Sequence, residues 1–249
     1  MQSQEGFPFS LLVAGGLSLA GLAAIAFLLL TAAGPLPVPE RAADPWRTDA
    51  ADPLPSPPIA RPVPYRHLAG WEEYPIKGRD RAGRVAAFRV LVLPGDQHWQ
   101  FASDQVVLGR DNAVVDILAR VQAAAVQELL AKGTHLISVG AASMEGSVPE
   151  EERRAAKRAH KLAGLLAPAL PQGLALYTLN LGRHSERCER CTPADTAPQR
   201  RVVLIVVAAA HEGVDLRTAL YDALSDNPTF PLDLQSYSRF ELRRYPRGA

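Results

Sequence analysis

The sequence predicts an α+β domain with helices packed on one face of a mixed sheet, and three observations carry that expectation. Apolar, β-branched runs alternate with helical patterns between Val85 and Val207. The run Gln199-Arg-Arg-Val-Val-Leu-Ile-Val-Val207 has the composition of a buried strand entered from a polar edge. The segment from Pro149 to Leu166 places Ala155, Ala159, Leu162, Leu165 and Leu166 on one helical face and Arg153, Arg154, Lys157, Arg158 and Lys161 elsewhere. Strands alternating with helices of this kind bury their apolar faces against each other as a layered sandwich.

At 249 residues the chain has room for one ordinary domain with appendages. A net charge of +1 gives no electrostatic case for nucleic acid. After a short N-terminal segment, 1–8, no residue from Phe9 to Ala33 is charged. That run is long enough to cross a bilayer core of about 30 Å, which takes roughly 20 residues. It reads as a transmembrane helix in preference to a cleaved signal, because it exceeds the usual signal core and Met1 to Ser10 holds no Lys or Arg. Residues 34–64 carry ten of the 21 prolines, which predicts an extended polyproline spacer. Residues 65–87 mix charge and glycine without clear periodicity, and Trp71 and Tyr74 are expected to cap the domain that follows.

Within the domain, Val85 to Leu93 is a predicted strand ended by the turn Pro94-Gly-Asp96, and Trp99-Gln-Phe101 a second, short one. Asp116 to Ala131 repeats Ile117, Leu118, Val121, Ala124, Ala125, Leu129 and Leu130 as one helix, with Gly133 placed to end it. Leu136 to Val139 is a strand, and Pro168 and Pro171 stop the helix from Pro149. Leu174 to Leu181 alternates as a further strand before the final run to Val207. In the extension, 210–249, Val214 to Leu224 is a predicted helix and Ser236 to Tyr245 an added strand that covers a sheet edge.

The order βαβαββ over about Phe88 to Val207, taken as a domain spanning 88–209, resembles the OmpA-like domain family. Trp99-Gln-Phe-Ala-Ser-Asp104 resembles the family's F-x-F-D-S, Arg158-Ala159 the end of its N-x-x-L-S-x-x-R-A helix, and Gln199-Arg-Arg-Val202 its N-R-R-V. The resemblance implies binding of peptidoglycan, in which a loop aspartate and the helix arginine grip the zwitterionic diaminopimelate. The arginine falls on Arg158 and the aspartate on Ser143, within Gly140-Ala-Ala-Ser143-Met-Glu-Gly146, where a hydroxyl cannot neutralise an ammonium. Glu145 is the candidate to supply that charge from two residues along. Arg158 is read either as a ligand contact or as a solvated charge on a basic helix face. Arg200 and Arg201 are read as strand-entry residues, one closing an ion pair, or as ligand contacts.

The resemblance further implies a single-pass inner-membrane protein with its C-terminal domain in the periplasm, partnered by peptidoglycan and by other envelope proteins. Two functions remain: tethering a membrane assembly to the cell wall, or serving as an interaction scaffold of a secretion, motor or defence complex without wall binding. Cys188 and Cys191 are expected to form a disulfide in that compartment, with zinc on these thiolates and His184 as the alternative. Neither a metal nor a cofactor is expected. Ser143 with His135 or His160 lacks an activated-serine motif and an orienting acid, so no enzymatic activity is expected.

Overall fold

The computed structural model describes residues 65–185, 190–225 and 230–246, all within one compact unit that begins at Pro58. The expected membrane helix and proline-rich spacer lie outside the described residues, among which no helix is long and apolar enough to cross a membrane. The described chain is α+β, with a mixed sheet and helices packed on it. Its strands are β1 (Arg66–Leu68), β2 (Trp71–Arg79), β3 (Val85–Val92), β4 (His98–Trp99), β5 (Val107–Leu108), β6 (His135–Ala142), β7 (Ala175–Arg183), β8 (Val203–Ala210) and β9 (Glu241–Arg244). Its helices are α1 (Ile117–Gln122), α2 (Ala124–Ala131), α3 (Val148–Leu166) and α4 (Leu216–Ser225).

Seven strands form the main sheet in the order β1-β2-β3-β8-β6-β7-β9, while β4 and β5 make a separate two-stranded ribbon. β6 and β7 run parallel, and α3 makes the crossover between them. At the sheet centre Val202 to Val207 are all fully buried, because β8 is flanked by strands on both edges and covered on both faces.

Helices cover both faces of this sheet, which corrects the expectation of one. Leu91, Leu136, Leu176, Leu204 and Val206 pack with Val121, Val126, Leu130, Leu162 and Leu166 of α1, α2 and α3. The alternate residues Phe88, Val90, Ile137, Leu179, Ile205 and Val207 pack with Ala219, Leu220, Ala223 and Leu224 of α4. Each helix layer meets the sheet over a glycine. A Cβ on Gly140 would lie 2.7 Å from the Ala159 amide nitrogen of α3, and one on Gly78 only 2.8 Å from the Ala223 Cβ of α4.

The lead-in segment is sheet rather than cap: β1 and β2 form a hairpin on β3, closed by a two-residue turn with positive φ at Ala69 and Gly70. Trp71 and Tyr74 belong to the two cores. The helix expected from Asp116 to Ala131 is broken at Ala123, whose ψ is 135°. The break has a packing reason. Ile117 with Val121 and Val126 with Leu130 are each i,i+4 pairs, but the two pairs are out of phase and could not face one core from a continuous helix. Gln127 Nε2 donates to the freed Val121 carbonyl at 2.8 Å. The last buried strand begins later than expected, since Ala197–Arg200 forms a 3-10 turn and β8 starts at Val203.

Asp80 fastens the β2–β3 turn to the start of α4. Its carboxylate accepts from the Ala82 and Arg84 amides at 2.9 Å each, from Arg84 Nε at 2.7 Å and from the Asp215 amide at 3.0 Å. The Asp215 amide above all, with those of Arg84 and Ala82, holds the carboxyl down at about 2 against the opposing effect of burial. A carboxyl lowered by folding stabilises the fold above its unfolded value, and that contribution disappears as pH falls through the folded one. Asp80→Asn is therefore expected to lower the melting temperature at pH 6, with the gap from wild type closing between about pH 4 and pH 2. A gap that stays constant across that range would refute the assignment.

Candidate functional site

The sequence candidates converge where the loop after β4, the loop after β6 and the 3-10 turn before β8 meet the middle of α3. Arg158 lies on the α3 face turned to the sheet and is 0% exposed, so the expectation of a solvated basic face fails at this residue. Its guanidinium is enclosed by carbonyls of its own chain. Nε donates to Ser103 O at 2.9 Å, Nη1 to Ala141 O at 2.8 Å, and Nη2 to Ser103 O at 2.7 Å and Gln100 O at 3.2 Å. The Trp99 ring lies 5.8 Å from the guanidinium carbon, within cation–π range. Burial, and next the neighbouring Arg200, push its pKa down to about 9, so it remains cationic at neutral pH.

The carbonyls reach Arg158 because the loop turns back on itself. The Ser103 amide donates to Gln100 O at 3.1 Å, and Ala102 between them adopts φ 56°. A left-handed conformation at a residue with a Cβ costs about 1 kcal/mol, a strain held by the three bonds from Arg158 to this loop.

Arg200 is 1% exposed and organises the second half of the cluster. Nε donates to Trp99 O at 3.1 Å and Nη2 to Pro193 O at 2.7 Å. Nη1 reaches Thr196 Oγ1 at 2.7 Å, Ser143 Oγ at 3.3 Å and Glu145 Oε1 at 3.4 Å. Thr196 also hydrogen-bonds to Glu145. Burial pushes the Glu145 carboxyl up, but hydrogen bonds from Ser143, Thr196 and its own backbone, with the charge of Arg200, hold it below its ordinary value. Arg200 therefore closes the anticipated ion pair, from a 3-10 turn rather than a strand.

The structure thus brings Ser143, Glu145 and Arg200 into one network and joins it to Arg158 through residues 99–103. Arg201 stands apart: its backbone bridges to His98, and its Nε is buried without a hydrogen-bond partner. Sequence reasoning missed Thr196 and the carbonyls of Trp99, Gln100, Ser103 and Pro193. Thr196 had a local signal, since Thr192 and Asp195 close the turn before it, with Asp195 accepting the Thr192 amide and hydroxyl at 2.8 Å each. Backbone carbonyls leave none.

Neither histidine of the nucleophile reading meets Ser143: His135 hydrogen-bonds to Thr134 Oγ1 at 2.8 Å and His160 packs at a tilt against the Tyr245 ring. The expected Cys188–Cys191 pairing rests on Cys188, which lies outside the described residues. Among those residues no group of three His, Cys, Asp or Glu is placed to hold a metal. No family model, curated protein or solved structure matches this chain.

Proposed function

We propose that this chain is a single-pass inner-membrane protein whose OmpA-like domain serves as an interaction scaffold of an envelope complex without binding the cell wall. With the β4–β5 ribbon set aside, the order β3, α1–α2, β6, α3, β7, β8 is compatible with the βαβαββ order of the resemblance and supports this reading. The uncharged run 9–33 supplies the membrane anchor and the prolines of 34–64 the spacer. One observation carries the choice of scaffold over tether. The arginine that would grip a diaminopimelate carboxylate is fully buried with four of its five N–H donors on Gln100, Ser103 and Ala141, and Ser143 stands where the partner aspartate would be.

The test is sedimentation of the full chain in detergent with purified peptidoglycan sacculi. Wild type is expected to stay in the supernatant. Ser143→Asp is expected to stay there too, because the new carboxylate would face Arg200 and leave Arg158 enclosed. Pelleting of either protein, abolished by free diaminopimelate, would restore the tethering reading. That second reading has one observation in its favour: Glu145, ionised beside Arg200, is an acid–base pair of the kind a zwitterion complements.

A further inference from the structure

β9 lies outside the stretch that resembles the family, and it changes the surface as well as closing an edge. It pairs antiparallel with β7, Leu179 opposite Leu242 and Asn180 opposite Glu241, which makes the sheet one strand wider beside α3. Tyr245 then folds back against the helix, its ring 4.8 Å from that of His160. The result is a step of about 920 Å³ with the outer flank of α3 as its wall and Thr178, Asn180, Glu241 and Arg243 along its floor.

The charges in this step are unevenly committed. Five lysines and arginines line it, against three carboxylates. Arg239 is held by Glu152 at 2.6 Å and by Glu241 at 3.4 Å, and Arg243 by Glu241. Lys157 and Lys161 are exposed on the wall and enter none of the described ion pairs. They are one helical turn apart, a separation of about 6 Å along the axis. Alternate side chains of an extended peptide repeat every ~6.6 Å on one face, so two acidic residues at i and i+2 match the two ammonium groups.

We infer that the step between α3 and β9 is a docking site for an extended acidic segment of a partner protein, read by Lys157 and Lys161. The inference rests on the scaffold reading and names the chemistry of its partner. Charge complementarity selects this occupant: Arg153, Lys157 and Lys161 follow one another at successive turns of the wall, the floor is paired internally, and Asp104 is the one lining carboxylate outside the described ion pairs. A partner of this kind binds through exposed ion pairs, each modest, so its affinity depends strongly on salt.

The experiment uses the full chain in detergent and a fluorescent peptide alternating Glu and Ser, with a Gln-for-Glu copy as its control. The acidic peptide is expected to bind, the Gln copy at least tenfold more weakly, and raising salt from 50 to 300 mM to weaken binding by a similar factor. Lys157→Glu with Lys161→Glu is expected to abolish binding with the melting temperature unchanged, while Lys132→Glu on α2's distal end leaves it intact. Absence of binding overturns the proposal, as does equal loss in the Lys132 variant. Preference for anionic lipid vesicles over the peptide, with the same lysine dependence, overturns the assignment of a protein partner. Sacculus sedimentation is run in parallel: pelleting of wild type defeats the scaffold reading, whereas peptide binding that ignores Lys157 and Lys161 defeats only the docking site.

Discussion

Replacing Arg158 with Ala is expected to lower the melting temperature of the full chain by about 6–12 °C. The reasoning begins from burial: the side chain is among the largest that are fully enclosed. Its removal takes a charge-assisted donor from the carbonyls of Gln100, Ser103 and Ala141, of which Gln100 keeps the Ser103 amide. An unsatisfied buried polar group costs about 1–3 kcal/mol, and some carbonyls will recover water, so a net loss near 3 kcal/mol is expected. For a unit of this size each kcal/mol corresponds to about 2–4 °C. The strained turn at Ala102 is released as well, so residues 99–104 should become susceptible to proteolysis in the native state. Arg158→Lys keeps the charge but not the planar fork, and should recover only part of the loss. A melting temperature within 2 °C of wild type for Arg158→Ala would show that the arginine is not the fastener its geometry describes. Wall retention is a separate measurement, and under the scaffold reading it is absent before and after the substitution.

Gly140→Ala should destabilise the fold to a comparable extent although it deletes no side-chain group. The added methyl would overlap the Ala155 carbonyl and stand 2.8 Å from its carbon, so α3 must lift away from β6. Backbone cannot yield as a flexible side chain can, and overpacking of this kind costs about 3 kcal/mol. The lifted helix would also pull Arg158 away from Ala141, and the variant should lose Ser138 Oγ donation to Ala159 O, now 2.9 Å. Gly95→Ala is the control, because its nearest neighbours are the far end of Arg201 at 3.9 Å; it should change stability by less than about 0.5 kcal/mol. Equal melting temperatures for the two variants would sink the close-approach account.

Much of the sheet and its helices could be read from periodicity alone. The unbroken apolar run ending at Val207 marked a central strand because neither face of β8 meets water from Val203 to Val207, and Ala155, Ala159 and Leu162 marked the inner face of α3 because a 3.6-residue period leaves few alternatives. Of the added strand expected over Ser236 to Tyr245, read from its alternation, only Glu241–Arg244 forms, as the partly exposed edge strand β9. β2 was not legible, since Glu72, Glu73, Pro75 and Gly78 interrupt its alternation; Glu73 is buried only because Arg66 and Arg89 reach it from β1 and β3. Without β2 there was no surface on which to place α4, so the second covered face went unseen.

The candidate site divides along the same line. Sequence by itself named Ser143, Glu145, Arg158 and Arg200 as candidates, through the resemblance of short motifs, while Thr196 and the enclosing carbonyls carried no such mark. Only the tertiary structure decided their state. Arg154 and Arg158 are the same residue type on the same helix, yet Arg154 pairs with Glu151 at a half-buried position while Arg158 is enclosed. The difference lies in carbonyls that come from 55 and 58 positions away in the chain. A backbone carbonyl belongs to every residue, so no side-chain pattern announces which ones will gather around a charge; that is settled when the loop after β4 closes over α3.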